Sequence, residues 1–323
     1  MTVDRRKFLS LGVGAFVVLT LPASLRRMSR QARRSVPVMG TIADLVVVDP
    51  DEAKAQEAID AAIRELRWVE RTMSHFTADS DIGRANLGAA SGPVAVTAAT
   101  ATVLEEALRW AELSDGRFDP CLGRATALWN VGERVTPPSI SETRRFAGER
   151  LYRKLEVDRW RGEHVVRFRS DALAIDLGGI AKGYGVDRAV RDLRERGVKN
   201  ALVNAGGDLY AMGRSEDGDP WEVGVRDPRD PSRLAATLRV SDRALATSGD
   251  YFQYFDHAGR RYHHLIDPTT GEPRHSQLRS VTVAAETCMA ADAGGTAVFG
   301  CDSHAARKLI ARAAPGAEIV HTA

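Results

Sequence analysis

Between positions 174 and 184 the chain runs Ala-Ile-Asp-Leu-Gly-Gly-Ile-Ala-Lys-Gly-Tyr, so the carboxylate of Asp176 and the ammonium of Lys182 flank the pair Gly178-Gly179. Glycines let a main chain approach a ligand closely, and a helix that follows presents unpaired N–H groups and the positive end of its dipole. This suits a phosphate-bearing ligand, although the spacing matches neither G-x-G-x-x-G nor G-x-x-x-x-G-K-[ST]. An ordinary strand-to-helix turn reads the same way. Further on, Asp292 and Thr296 are four apart and share one face of a helix. Carboxylate, hydroxyl and a backbone carbonyl suit a hard cation such as Mg²⁺. Plain capping suits them as well, with Asp292 on free N–H groups and Thr296 bonding back to its helix, so both readings stay open.

Other polar segments fall where elements begin or end. They are Met39-Gly40-Thr41, Ser74-His75-Phe76, Arg117-Phe118-Asp119-Pro120, Asn204-Ala205-Gly206-Gly207-Asp208 and His263-His264-Leu265-Ile266-Asp267-Pro268. Alternation along a strand points His263 and His264 to opposite faces.

The elements that must position these groups mix α and β without a repeat. Residues 41–48 alternate and are rich in Val and Ile, predicting a strand; residues 51–73 place Ile59, Ala62, Ile63, Leu66, Val69 and Met73 at helical spacing. A second helix is expected over 98–113, stopped by Asp115-Gly116, and a hairpin over 154–157 and 164–168 around Trp160-Arg161-Gly162-Glu163. A buried strand opens at Ala174, and the helix from Ile180 ends at Gly197. Strands then read at 201–204, 221–225, 234–240, 244–248, 251–255, 262–266 and 278–284, closed by helices at 290–299 and 303–313. Hairpins outnumber βαβ units, which predicts an α+β fold rich in antiparallel sheet with flanking helices.

The 323 residues, 44% apolar and 27% charged, can bury a large core as one domain or two packed lobes. Of the net charge of +2, residues 1–34 hold eight Lys/Arg against Asp4, which leaves the remainder at −5. A mildly acidic body argues against nucleic acid as partner. Arg5-Arg6-Lys7-Phe8-Leu9 and an uncharged run to Leu25 resemble a twin-arginine export signal, giving a leader over 1–34 and a mature domain over 35–323. That implies a periplasmic or other extracytoplasmic location. Retention of the leader as a membrane anchor is the alternative, because no clean A-x-A box follows the run. Cys121, Cys288 and Cys301 are odd in number with no C-x-x-C pair, so they read as buried small side chains.

The ordered set Met-Gly-Thr, Phe-Asp-Pro, Asp-Leu-Gly-Gly-Ile-Ala-Lys-Gly, Asn-Ala-Gly-Gly-Asp, Ser-Gly-Asp-Tyr, His-Leu-Ile-Asp-Pro-x-Thr-Gly and Ala-Asp-Ala-x-x-Thr-Ala resembles the ApbE family over residues 38–300. These flavin transferases use FAD to attach FMN covalently to a protein threonine. The resemblance implies a two-lobed single domain, with Met39, Phe76, Phe118, Asp119, Asp176, Lys182 and Ile266 lining an FAD site. It implies Mg²⁺ on the Gly179 carbonyl, Asp292 and Thr296, with His264 and Lys182 as catalytic groups. The implied partner is a threonine-bearing flavoprotein subunit, of the kind found in respiratory membrane complexes. Two positions depart from the pattern: Phe76 stands where many relatives carry tyrosine, and Gly295 where some supply a further acid. A flavin-holding protein without turnover and a hydrolase that splits FAD to FMN and AMP are the competing readings.

Overall fold

The computed structural model describes residues 15–18, 31–148, 150–230 and 232–323. After strand β1 (Phe16–Val18) comes the hairpin of β2 (Gln31–Val38) and β3 (Thr41–Val48), whose turn holds Met39 and Gly40 both at positive φ. Helix α1 (Glu52–Met73) starts where the Asp51 side chain accepts from Lys54 N, and it buries the Ile59, Ala62, Ile63, Leu66, Val69, Met73 stripe expected of it. Next come α2 (Asp81–Gly88), β4 (Val94–Val96) and α3 (Ala98–Leu113), the last with Thr97 as its cap. Short helices α4 (Gly123–Trp129) and α5 (Ile140–Thr143) lead to the hairpin of β5 (Leu155–Trp160) and β6 (Glu163–Phe168). It turns on Arg161-Gly162, both at positive φ, as a two-residue hairpin loop requires.

Then follow α6 (Ala181–Glu195), β7 (Asn200–Ala205), β8 (Asp208–Met212), β9 (Trp221–Arg226), β10 (Leu234–Val240) and β11 (Arg243–Gly249). Two small hairpins, β12 (Tyr254–His257) with β13 (Arg260–His263) and β14 (Ile266–Asp267) with β15 (Glu272–Pro273), precede β16 (Ser280–Ala285). The described chain closes with α7 (Cys288–Val298), α8 (Ser303–Ala313) and β17 (Glu318–Thr322).

The principal sheet has the order β17-β16-β11-β8-β7-β3-β2, and every neighbouring pair in it is antiparallel. One face packs under α1, α6 and α7, where Leu45, Val203 and Val283 join Leu66, Val190 and Val298 in the main core. The other face is covered by the β1-β9-β10 sheet, where Val46, Leu202, Leu209 and Leu245 meet Trp221, Val223 and Val225. Burial on both sides explains why β8 and β16 carry no exposed position and show no alternation of buried and exposed residues, and a strand at β8 is not among those expected from sequence. The fold is mixed helix and sheet with antiparallel pairing, as expected from the hairpin-rich order.

Three strand expectations need correction. Residues 174–177 form no strand, only an isolated bridge between Leu122 and Ala174. Their backbone groups are satisfied from loops instead: Ile175 N donates to Asn86 Oδ1, Asn86 Nδ2 donates to Ile175 O, and Asp176 N donates to Pro120 O. The strand expected at 251–255 begins only at Tyr254, and the one at 262–266 splits into the ends of two hairpins, because apolar runs do not mark turns. β2 starts at Gln31, so Arg33 and Arg34 of the expected leader lie in the sheet, with Arg34 bonded to Asp60 and to Gln56. Residues 1–14 and 19–30, including Arg5-Arg6, lie outside the described residues. Among the described residues no helix is long and apolar enough to cross a membrane.

Candidate active site

Two helices meet end to side at the glycine bend. At Gly183, in the first turn of α6, an added Cβ would lie 2.4 Å from Cys288 O and 2.7 Å from Met289 Cα, so only glycine lets the start of α7 come this close. Asp187, one turn further along α6, locks the approach: its carboxylate accepts from Cys288 N at 2.7 Å and from Met289 N at 2.9 Å. This second cap, added to Thr287 Oγ1 on Ala290 N, fixes the N-terminus of α7 against α6.

The crossing brings the charged groups together. Lys182 Nζ lies 2.9 Å from Asp208 Oδ2, 3.1 Å from Gly178 O and 3.6 Å from Asp292 Oδ2. Asp292 Oδ2 also accepts from Gly183 N at 3.1 Å. Capping therefore does describe Asp292, but the helix it caps is α6 rather than its own. Burial and the neighbouring Asp208 push Asp292 up to about 7 against the pull of Lys182, and burial likewise raises Asp208. Burial would lower the Lys182 ammonium; Asp208 and then Asp292 more than offset it and hold it raised.

Thr296, one turn beyond Asp292, lies against the bend. An added Cβ on Gly179 would fall 2.9 Å from Thr296 Oγ1 and 3.3 Å from Phe118 Cε2. Among the described residues the Thr296 hydroxyl makes no bond back to its own helix. Carboxylate, hydroxyl and bend carbonyls form an all-oxygen set, the donor chemistry of a hard divalent cation, and so the residues fit such an ion. Among the described residues no three or more His, Cys, Asp or Glu side chains converge on one point, here or elsewhere, so an ion here would rest on Asp292 with hydroxyl and carbonyl oxygens. At Gly295 an added Cβ would lie 2.8 Å from Ser248 Oγ, so a larger side chain there needs Ser248 to move.

The bend's amides are less open than the sequence suggests. Gly178 N donates to Asp176 Oδ1 at 2.8 Å, and Gly183 N is taken by Asp292. Asp176 in turn lies 3.4 Å from His75 Nδ1. Burial would raise its carboxyl, but His75 and Gly178 N hold it below the ordinary range. Burial lowers His75, yet Asp176 outweighs it and raises the imidazole. The His75 and Phe76 rings lie against each other with centroids 3.9 Å apart and planes tilted by 39°, and Phe76 is 87% exposed, an unburied aromatic face suited to stacking a ring system.

Phe118 and Ile266 are buried and act as walls. Asp119 accepts from Cys121 N at 2.8 Å and Tyr152 N at 3.2 Å, which makes it an organiser of its loop; burial pushes it up to about 6. Met39 N donates to Glu70 Oε1 at 2.7 Å, and its Sδ lies 3.0 Å from the Cβ position of Gly185, one turn from Lys182. His264 senses both Lys182 and Asp176, and burial lowers it to about 4. Its Nδ1 lies 3.4 Å from Gln253 O; a carbonyl only accepts, so this contact calls for the Nδ1–H tautomer and leaves Nε2 as a base. His263, the last residue of β13, makes separate contacts: Nε2 contacts Arg274 O at 2.9 Å, Nδ1 accepts from Leu265 N at 3.2 Å, and the ring stands edge-on to Phe299.

The sequence places His75 and Asp208 in polar segments without giving either a role, and Asp187 in none. The only signal for Asp208 was its place after the Gly206-Gly207 turn, and a lone acid on a helix gives none for Asp187.

Lys182, at the end of the glycine bend, thus gathers two buried acids from other elements, Asp208 at the start of β8 and Asp292 in α7. The profile described as the ApbE family matches residues 39–321, and the chain belongs to that family. It is 34% identical to the FAD:protein FMN transferase of Vibrio cholerae over 88% of this chain and 86% of that one, and 33% identical to that of Treponema pallidum over 85% and 80%. Among solved structures, an ApbE protein of Thermotoga maritima superposes with a TM-score of 0.78 at 31% identity, covering 90% of this chain and 94% of that one. The Vibrio cholerae flavin transferase ApbE gives 0.77 at 31%, covering 90% and 92%.

Proposed function

We infer that this chain moves FMN from FAD onto a protein, the activity for which its relatives are named, using Mg²⁺, with a threonine hydroxyl as acceptor and AMP as leaving group. One observation carries the reading: Lys182, Asp208, Asp292, Thr296 and the Gly178-Gly179 bend converge at the start of α6, within electrostatic reach of His264. Asp292, Thr296 Oγ1 and the Gly179 carbonyl would hold the ion. When bound, it neutralises diphosphate charge and polarises the phosphorus that is attacked.

The chain's own groups account for the remainder. Lys182 supplies a fixed positive charge to the diphosphate, and Asp208 keeps that ammonium aimed at the bend. Phe76 offers its face to a flavin or adenine ring, while Phe118, Ile266 and Met39 close the sides. His264 Nε2 takes the proton of the acceptor hydroxyl as its oxygen bonds to the FMN-side phosphorus; the bond from that phosphorus to AMP breaks, and AMP leaves with the bonding electrons.

Incubation of the purified protein with FAD, Mg²⁺ and a threonine-bearing flavoprotein subunit is expected to give a fluorescent adduct that survives denaturing electrophoresis. Free FMN with AMP would make the chain a hydrolase, and unchanged FAD a flavin holder. We further propose that residues 1–34 direct twin-arginine export and that the acceptor is a subunit of a respiratory membrane complex facing the periplasm. The paired arginines ahead of the apolar run support this reading.

A further inference from the structure

Arg274 follows β15 and is buried among main-chain oxygens. Its Nη1 donates to Thr296 O at 2.6 Å and Phe299 O at 3.1 Å, its Nε donates to Ile266 O at 3.3 Å, and its Nη2 donates to Arg117 O. All four acceptors are carbonyls. A cation in the interior is tolerated where oriented dipoles face it, and two of these belong to the C-terminal end of α7, the negative end of that helix. Burial and the neighbouring Arg117 guanidinium lower Arg274 to about 10, which leaves it charged at neutral pH.

The acceptors come from three segments of the site. Thr296 is the hydroxyl beside Gly179, Ile266 lies two residues past His264, and Arg117 leads into Phe118, whose ring abuts the Gly179 bend. A guanidinium is planar with donors in fixed directions, so one side chain sets how these segments stand relative to one another. A lysine offers one nitrogen and cannot span three segments in the same way.

We propose that Arg274 is a positioning residue that holds α7, β14 and the 117–119 loop in the register in which Asp292, Thr296 and Gly179 take up a divalent cation together with the FAD diphosphate. The inference rests on the functional reading above, and binding measurements separate the two. The full chain, stripped of metal, is compared with Arg274→Met, Arg274→Lys and Val223→Ala. The last lies in the second core, away from the site, and controls for lost stability. Quenching of FAD fluorescence is titrated with Mg²⁺, and the Mg²⁺-dependent rise in Tm is followed without FAD.

Half-saturation by Mg²⁺ is expected to weaken roughly 10- to 100-fold in Arg274→Met, with less loss in Arg274→Lys, as for residues that orient metal ligands. Val223→Ala should lose Tm and keep wild-type half-saturation. Wild-type ligand response in Arg274→Lys and Arg274→Met, with only Tm lowered, would overturn the inference alone. Should Arg274→Met not fold, the Arg274→Lys titrations decide by the same criterion. A wild-type protein that binds no FAD with or without Mg²⁺ overturns the functional reading and this inference together.

Discussion

Asp292 carries one carboxyl group with three neighbours: Gly183 N, which it caps, Lys182, which neutralises it, and Asp208, which opposes its ionisation. Asp292→Asn keeps an oxygen for Gly183 N but removes the charge. We expect Tm to change little and Mg²⁺-stimulated transfer to be lost; wild-type transfer by this variant at limiting Mg²⁺ would refute the metal assignment. Because burial and Asp208 raise this carboxyl, protons compete with the cation for it. Mg²⁺ half-saturation should therefore weaken as pH falls below neutral, read as the Mg²⁺-dependent Tm shift across a pH series. His264 behaves differently. Lowered to about 4, it is neutral and base-competent through the physiological range, so its contribution disappears only as pH falls through about 4. His264→Ala should reduce transfer by roughly 10²- to 10⁴-fold, the usual range for a general base, while FAD binding by fluorescence quenching stays near wild type.

The crossing of α6 on α7 is what makes a site of separate residues. Gly183→Ala would place a methyl 2.4 Å from Cys288 O, against main chain that has no rotamer to yield. The helices must part, which should cost about 1–3 kcal/mol by thermal or urea unfolding. Transfer should fall further than stability alone explains, because Lys182 and Asp292 separate with them. Asp187→Ala acts on the same joint from the other side, freeing Cys288 N and Met289 N, and should cost about 1 kcal/mol as a lost cap. If both variants melt like wild type, the joint is not what holds the site.

Across the molecule, the principal sheet separates two cores, and the chain enters it at Gln31. A protein of residues 35–323 loses Gln31–Arg34, their pairing with Leu45–Val48, and the Arg34 bonds to Asp60 and Gln56. We expect 31–323 to melt higher than 35–323 and to retain FAD-dependent transfer. β1 lies along β9, with Ala15 against the Gly207 Cβ position, so an exported, processed chain would expose that edge. Changing Arg5 and Arg6 to lysine should stop export of the full chain, scored by its distribution between cytoplasmic and periplasmic fractions; unchanged distribution would remove the twin-arginine reading.

Helices with long apolar stripes were legible almost to the residue. The stripe of α1 and the Ala98–Leu113 helix declare themselves because their burial faces one side, and period 3.6 is a local property. The hairpin around Arg161-Gly162 was legible because two short strands flank a glycine-bearing turn, though the positive φ of Arg161 was not. The family resemblance that the ordered motifs carry implies one site for Lys182, Asp292 and Thr296, and the structure brings Lys182 and Asp292 within 3.6 Å. The partners of those residues could not be read from their order in the chain. That Ile175 is held by Asn86 rather than by a strand, that Asp292 caps α6, that Asp208 shares Lys182 and that Asp187 ties down α7 all depend on contacts between segments far apart in sequence. Local pattern encodes which face of an element is apolar. Which polar groups meet is set by how those faces pack, and the close approach at Gly183 exists only once they have done so.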